Sequence, residues 1–300
     1  MRLVTFRKKR GDGGNNGRLG VIPAGGGEVV EISGSYLDAP KSMLDLIARD
    51  AEALRIIRMN MPHLPARYRL EDVQLLAPIP VPRRNIFCIG KNYRAHVNEV
   101  SFVDPAERKE DNVPAHPVVF TKATTAVIGP DAAIPSWLDD TDSTDYEGEL
   151  AVIIGKEGRG IAAADAMAHV FGYTIINDVT ARRLQKCHGQ WFIGKSLDGF
   201  CPMGPCIVTA DEIPDVTQLT LKTRVNHELR QNGSVGDLIF DIPTLIETLS
   251  RGMTLQPGDI IATGTPAGVG MGFDPHRFLQ PGDQVEITIE PIGTLSNPVG

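Results

Sequence analysis

The 300-residue sequence predicts a mixed α/β, strand-rich fold, with a small amino-terminal α+β unit over residues 1–75 and a main body over 76–300. Three observations carry that prediction. From Asn85 onward, apolar runs of strand length alternate with turns, and the 31 glycines and 22 prolines supply those turns in more than average number. Helical periodicity is confined to a few short stretches. Their irregular spacing argues against a doubly wound βαβ order.

In chain order, Leu3–Phe6 and Gly20–Ile22 flank the turn-rich Gly11–Gly17, a hairpin pattern, and Glu28–Ile32 makes a third strand. Ser42 can cap a helix over Met43–Ala48, with a second helix near Ala51–Met59. Glu71–Leu76 and the prolines at 78, 80 and 82 read as the join to the main body. There the clearest strands are Ile86–Gly90, Val118–Phe120, Ala151–Ile154, Gly172–Ile176, Cys206–Val208, Leu219–Val225, Asp259–Ala262 and Gln284–Ile289. Helices are expected over Ala162–Val170, Ala181–Cys187 and Ile242–Arg251, the last with Ile242, Leu245, Ile246 and Leu249 on one face. The charged stretch from Val97 to Ala115 is long for a loop in a compact domain and reads as a lid.

Composition narrows the function classes. The chain has 37 acidic and 30 basic residues, a net charge of -7, and no basic run longer than Arg7–Arg10. Neither a nucleic-acid nor a membrane-surface binder is indicated. Cys88, Cys187, Cys201 and Cys206 show no Cys-x-x-Cys spacing, and buried free thiols in a reducing compartment are expected. Residues 1–6 turn polar too soon for a signal peptide, and no apolar run is long enough to span a membrane, so a cytoplasmic protein is expected.

The most telling residues are acidic. Glu147 and Glu149, one residue apart before Leu150–Ile154, should project side by side from a strand. Two like charges so placed repel unless a cation lies between them. Asp178 follows the apolar run Phe171–Ile176 where a buried strand would end. Together the three make an all-oxygen set of the kind preferred by Mg2+, Mn2+ or Ca2+. The plainer alternative is a solvated strand edge with an unrelated loop aspartate.

Other segments add chemistry. His96 and Glu99, three apart, can form an oriented imidazole–carboxylate pair that deprotonates water, or an incidental surface pair. Lys91, Asn92, Tyr93 and Arg94 beside them suit an anionic substrate. Arg182 and Gln185 lie one helical turn beyond Asp178, where the arginine can grip a carboxylate; alternatively Asp178 or Thr180 is an ordinary helix cap. Lys195, isolated among apolar and glycine positions, can stabilise an oxyanion or enolate, or merely snorkel from a strand edge. The loop Ala262–Gly270 offers backbone N–H groups and threonine hydroxyls to an anion, but lacks the Lys-Ser/Thr ending of a phosphate loop. The remaining histidines have no ligand spacing, although His116 on the expected lid is a candidate contact.

Taken together these segments resemble the fumarylacetoacetate hydrolase family, with an acylpyruvate hydrolase-like set of motifs. The matching pieces are Gly-Lys-Asn-Tyr-Arg-Ala-His-Val-Asn-Glu (90–99), Asp-Tyr-Glu-Gly-Glu-Leu-Ala (145–151), Asn-Asp-Val-Thr-Ala-Arg (177–182) and Gly-Lys-Ser-Leu-Asp-Gly-Phe (194–200). Leu-Ile-Phe-Asp-Ile-Pro (238–243), the loop within 257–270 and Pro-Gly-Asp-Gln-Val (281–285) complete them, in order across 78–300. The resemblance implies a catalytic domain of layered, rolled β-sheets, a homodimer and a Mg2+- or Mn2+-type site. It places Glu147, Glu149 and Asp178 on the metal ligands and Lys195 on the active-site lysine. His96 and Glu99 fall on the water-activating pair at the lid's edge, and Arg182, Gln185 and Thr265 on the substrate side.

The function expected is hydrolysis of a C–C bond in an acylpyruvate-like β-diketo acid. Within the same family the rivals are decarboxylation of oxaloacetate and isomerisation of a hydroxymuconate-type diacid of aromatic catabolism. A binding protein for small acids that keeps the fold but not the chemistry is the rival from another class.

Overall fold

The structure, a computed structural model, describes residues 1–9, 17–49, 51–103 and 113–300. The expected hairpin turn at 11–16 and the centre of the expected lid, 104–112, lie outside the described residues.

The amino-terminal elements are β1 (Arg2–Lys8), β2 (Arg18–Ile22), β3 (Glu28–Glu31), α1 (Met43–Ile47), α2 (Ala51–Asn60), β4 (Arg67–Arg69) and β5 (Val73–Leu75). Ser42 caps α1 as expected, its side chain accepting from Asp45 N at 3.1 Å. Next come β6 (Ile86–Gly90), α3 (Arg94–Val103), β7 (Val118–Lys122), β8 (Val127–Ile128), β9 (Thr144–Asp145), β10 (Gly148–Ile154), β11 (Val170–Asn177) and β12 (Thr180–Ala181). The chain continues through α4 (Arg182–Cys187), α5 (Phe192–Lys195), β13 (Cys201–Thr209), β14 (Thr220–Val225), β15 (Glu228–Ser234), α6 (Ile242–Ser250), β16 (Ile260–Ala262), β17 (Gln284–Ile289) and β18 (Gly293–Pro298).

Ten strands run in the order β4-β3-β2-β1-β13-β11-β10-β16-β6-β7, with β5 added to β1 and β8 to β13; β15-β14-β17-β18 form a second sheet. The boundary expected near residue 75 does not interrupt the main sheet, because β1 pairs with β13 through Arg2–Val208 and Leu3–Ile207. Alternation along β10 serves two cores at once. Leu150, Val152 and Ile154 join a core shared with β14, β17, β18 and α6. Ala151 and Ile153 join a second core with α1, Leu3 and Ile207. Each large aliphatic side chain so buried is worth about 1.5–3 kcal/mol. Glu149 has the parity of Ala151, so it faces the second core at the strand's end.

Several elements depart from expectation. The helix expected over Ala162–Val170 is 3-10 over Ala163–His169, and Val170 already begins β11. β15, with the polar sequence Glu-Leu-Arg-Gln-Asn-Gly-Ser, carries no strand signal and is fixed by pairing with β14. Cys88, Cys201 and Cys206 are buried, whereas Cys187 is exposed. No helix among the described residues is long and apolar enough to cross a membrane.

Candidate functional site

Glu147, Glu149 and Asp178 meet where two neighbouring strands end. Gly148 pairs with Asn177 across β10 and β11. The Asn177 side-chain oxygen accepts from Glu147 N at 3.0 Å, and Asp178 N donates to the Glu147 carbonyl at 2.8 Å. One ligand oxygen from each of the three carboxylates then lies within 4.8 Å of the others. All three side chains are buried, the most exposed being Glu147 at 5%.

Buried like charges require compensation. The protein provides it as a line of alternating charge. Lys122 Nζ donates to Asp178 Oδ1 at 2.6 Å and to the Val179 carbonyl at 2.9 Å. Lys195 Nζ bridges Asp178 Oδ2 at 2.7 Å and Glu147 Oε2 at 2.8 Å. Arg182 Nη1 meets Glu147 Oε1 at 2.6 Å, and its Nε donates to Asp145 Oδ2 at 2.8 Å. Three cations and three anions thus neutralise one another.

Glu149 stands outside that line. Its Oε2 accepts from Gly264 N at 2.9 Å, and no ion pair among the described residues includes it. The consequences for ionisation are opposite. Burial works to raise the Glu147 pKa, but the charges of Lys195 and Arg182 outweigh it and hold that carboxyl far below its usual range. Burial, then the charges of Asp178 and Glu147, push the Glu149 carboxyl well above its own. Burial also works against the Lys195 charge, yet Asp178 and Glu147 keep its pKa above the ordinary lysine value. Three convergent carboxylates, one of them without a cationic side chain beside it, fit a hard divalent ion that would supply the missing positive charge.

The loop after β16 does bind anions, but they are the protein's own. Besides Gly264, the N–H of Gly268 donates to Glu99 Oε1 at 2.9 Å, and that of Gly270 to Asp145 Oδ1 at 2.6 Å. Gly264 and Gly268 adopt φ of 107° and 108°, conformations that favour glycine. Thr265 Oγ1 donates to the Gly148 carbonyl at 2.9 Å and accepts from Gln231 Nε2 at 2.7 Å. Tyr146 OH donates to the Gly268 carbonyl at 2.8 Å. Every residue from 145 to 149 is therefore tied to the site or to the loop that frames it.

His96 and Glu99 lie on α3, with Nδ1 and Oε2 3.2 Å apart. The carboxylate of Glu99 occupies the space that a Cβ on Gly272 would need. A cavity of about 300 Å3 opens beside the cluster and is lined by Glu147, Glu149, His96, Arg182, Lys195 and Thr265. Gln185 also lines it, as do the cationic Lys91 and Lys186 and the aromatic Phe120 and Trp191. The size and the basic side chains on the wall suit a small anion.

Seven of the candidate site residues picked from the sequence, Glu147, Glu149, His96, Lys195, Arg182, Gln185 and Thr265, share this cavity wall; Asp178 is not on it but accepts from Lys195, and Glu99 pairs with His96. Tyr93 and Arg94 are not on the wall either. Tyr93 is buried in a backbone bridge to Leu238, and Arg94 is exposed on the first turn of α3. His116 is exposed and outside the wall. Sequence reasoning missed Lys122 and Asp145, both at 0% exposure. Lys122 ends an ordinary strand pattern and carries no signal. Asp145 had one, its place in the same short segment as the two glutamates.

A family model described as "Fumarylacetoacetate (FAA) hydrolase C-terminal" matches residues 85–300. Oxaloacetate tautomerase YisK of Bacillus subtilis (strain 168) is 58% identical over 233 residues, covering 78% of this chain and 75% of that protein. Among solved structures, fumarylacetoacetate hydrolase from Exiguobacterium antarcticum superposes with a TM-score of 0.82 at 44% identity, over 100% of this chain and 99% of that one. Maleylpyruvate hydrolase from Sphingobium sp. SYK-6, in complex with manganese (II) ion and pyruvate, gives 0.77 at 35% identity, over 100% and 98%.

Proposed function

The chain belongs to the fumarylacetoacetate hydrolase family, and from that premise we propose that it enolises small 2-oxo acids of the oxaloacetate class. A proton would move between the carbon beside the 2-oxo group and the 2-oxo oxygen. The observation that carries this reading is His96, paired with Glu99, on the wall of a cavity also lined by Lys195 and by Glu147 and Glu149 of the carboxylate cluster. The 58% identity to an oxaloacetate tautomerase supports the same chemistry.

Glu147, Glu149 and Asp178 would hold the divalent cation, Mg2+ or Mn2+, with Ca2+ also compatible with an all-oxygen set. When bound, such an ion supplies Lewis acidity toward a 2-oxo-carboxylate, drawing charge onto oxygen. His96, oriented by Glu99, takes the proton from carbon. Lys195 brings a fixed positive charge beside the oxygen that gains electron density. Arg182 Nη2, buried with no hydrogen-bond partner among the described residues, is a donor left for the substrate carboxylate. Lys91 and Lys186 are further basic residues of the cavity wall.

Hydrolysis of an acylpyruvate is the second reading, supported by the likeness to a maleylpyruvate hydrolase. There His96 would deprotonate water, hydroxide would attack the distal carbonyl, and the broken C–C bond would leave pyruvate as its enolate. Both readings share the enolate; only the second consumes water. Following keto–enol interconversion of oxaloacetate and pyruvate release from acetylpyruvate, each with Mn2+ and with chelator, decides between them. Faster interconversion supports enolisation, faster pyruvate release supports hydrolysis, and cation-independent rates for both sink the proposal. The enzyme is further proposed to be a homodimer, which light scattering after size exclusion tests.

A further inference from the structure

We propose that Asp145 is a positioning residue for the cation site, acting through Arg182. It lies in β9 at 0% exposure, opposite Thr180. Its two oxygens accept four donors: Oδ1 from Gly270 N at 2.6 Å and Tyr146 N at 2.9 Å, Oδ2 from Arg182 Nε at 2.8 Å and Met271 N at 3.0 Å. No neutral side chain of the same shape satisfies that set. An amide in its place turns an NH2 toward two donors whichever way it is flipped.

Arg182 is thereby shared between two carboxylates, only one of which, Glu147, belongs to the cation cluster. The guanidinium is a rigid fork, so holding Nε at Asp145 determines how closely Nη1 approaches Glu147. Without Asp145 the arginine has one anionic partner left and competes with the cation for Glu147. That competition weakens cation binding, although Asp145 touches neither ion nor substrate. Asp145 also ties down the turn carrying Met271, another residue of the cavity wall.

The inference rests on reading Glu147, Glu149 and Asp178 as cation ligands. Mn2+ binding to the metal-free enzyme, followed by electron paramagnetic resonance, tests both. Asp145→Asn is expected to raise the Mn2+ Kd about tenfold. In an Arg182→Gln background the same change is expected to shift Kd by less than about twofold, since the residue through which it acts is gone. Wild-type protein that takes up no Mn2+ overturns both readings. Wild-type binding with an unchanged Kd in Asp145→Asn, or an equal effect in both backgrounds, overturns this inference alone. Should Asp145→Asn not fold, hydrogen exchange at the Arg182 Nε–H of the wild-type enzyme decides. Slow exchange with and without Mn2+ supports the role; exchange as fast as at an exposed arginine refutes it.

Discussion

The two halves of the site are built differently. The carboxylate half sits on the ends of β10 and β11 and the loop after β16, where strand pairing fixes the backbone and nearly every charge has a buried partner within 3 Å. The imidazole half rides on α3. Its two side chains meet each other at 3.2 Å, and Glu99 is anchored to the sheet side by the N–H of Gly268. On the proposed function, the contrast predicts that ion holding and proton handling are separable in this protein. Damage to the first half should alter cation affinity and stability. Damage to the second should alter turnover alone.

The sharpest break comes from Asp178→Ala. It strands Lys122 and Lys195, two fully buried ammonium groups, each with one anionic partner fewer. Breaking such pairs costs about 3–5 kcal/mol. Chemical unfolding in chelator should show that loss, and Mn2+-dependent turnover should fall about a thousandfold or more. Glu149→Gln makes the comparison inside the cluster. It should remove Mn2+-dependent turnover as completely, yet leave stability in chelator within about 0.5 kcal/mol, because the amide oxygen still accepts from Gly264 N. Equal destabilisation by the two variants would contradict the self-neutralising line of charge.

His96→Gln addresses the other half. Loss of a general base costs about 10²–10⁴ in kcat, while Mn2+ affinity and the unfolding midpoint should stay at wild-type values. A large rise in Mn2+ Kd would mean that the two halves are not separable.

The same division explains what the sequence disclosed. Glu147, Glu149 and Asp178 were legible because strand alternation and strand ends place side chains by rule, and most strands of the main sheet were read to within a few residues. Lys122 was not, because its burial depends on Asp178, 56 residues away. Asp145 finds three of its four partners at 182, 270 and 271, which no local pattern predicts. The pairing of β1 with β13, some 200 residues apart, is equally non-local, so the amino-terminal unit read as separate in sequence is hydrogen-bonded into the main sheet. Tyr93 and Arg94 were placed at the cavity by proximity to His96, but the start of α3 turns Arg94 outward and buries Tyr93 beneath.

Ionisation gives a gentler test. Proton and cation compete for Glu149, whose carboxyl burial and then Asp178 and Glu147 push upward. Glu147, held far below its usual range, has no proton to give. Cation affinity should therefore rise with pH and level off once Glu149 is ionised. Below that point each ion bound should release about one proton, measurable by calorimetry in buffers of different ionisation enthalpy. Affinity that falls as pH rises would contradict the assignment.

The smallest expected effect is the most selective. A Cβ on Gly272 would overlap the Glu99 carboxylate, a flexible side chain able to move away. In Gly272→Ala, Glu99 should leave both Gly268 N and His96, so the imidazole stays in place but loses the group that orients it. Turnover should fall about tenfold, in line with the loss of a residue that orients a catalytic group. Stability should change little, since the displaced side chain is already part exposed, at 15%. Mn2+ affinity should not change, because no cation ligand moves. A tenfold loss of Mn2+ affinity in this variant would show that the α3 half bears on the ion after all.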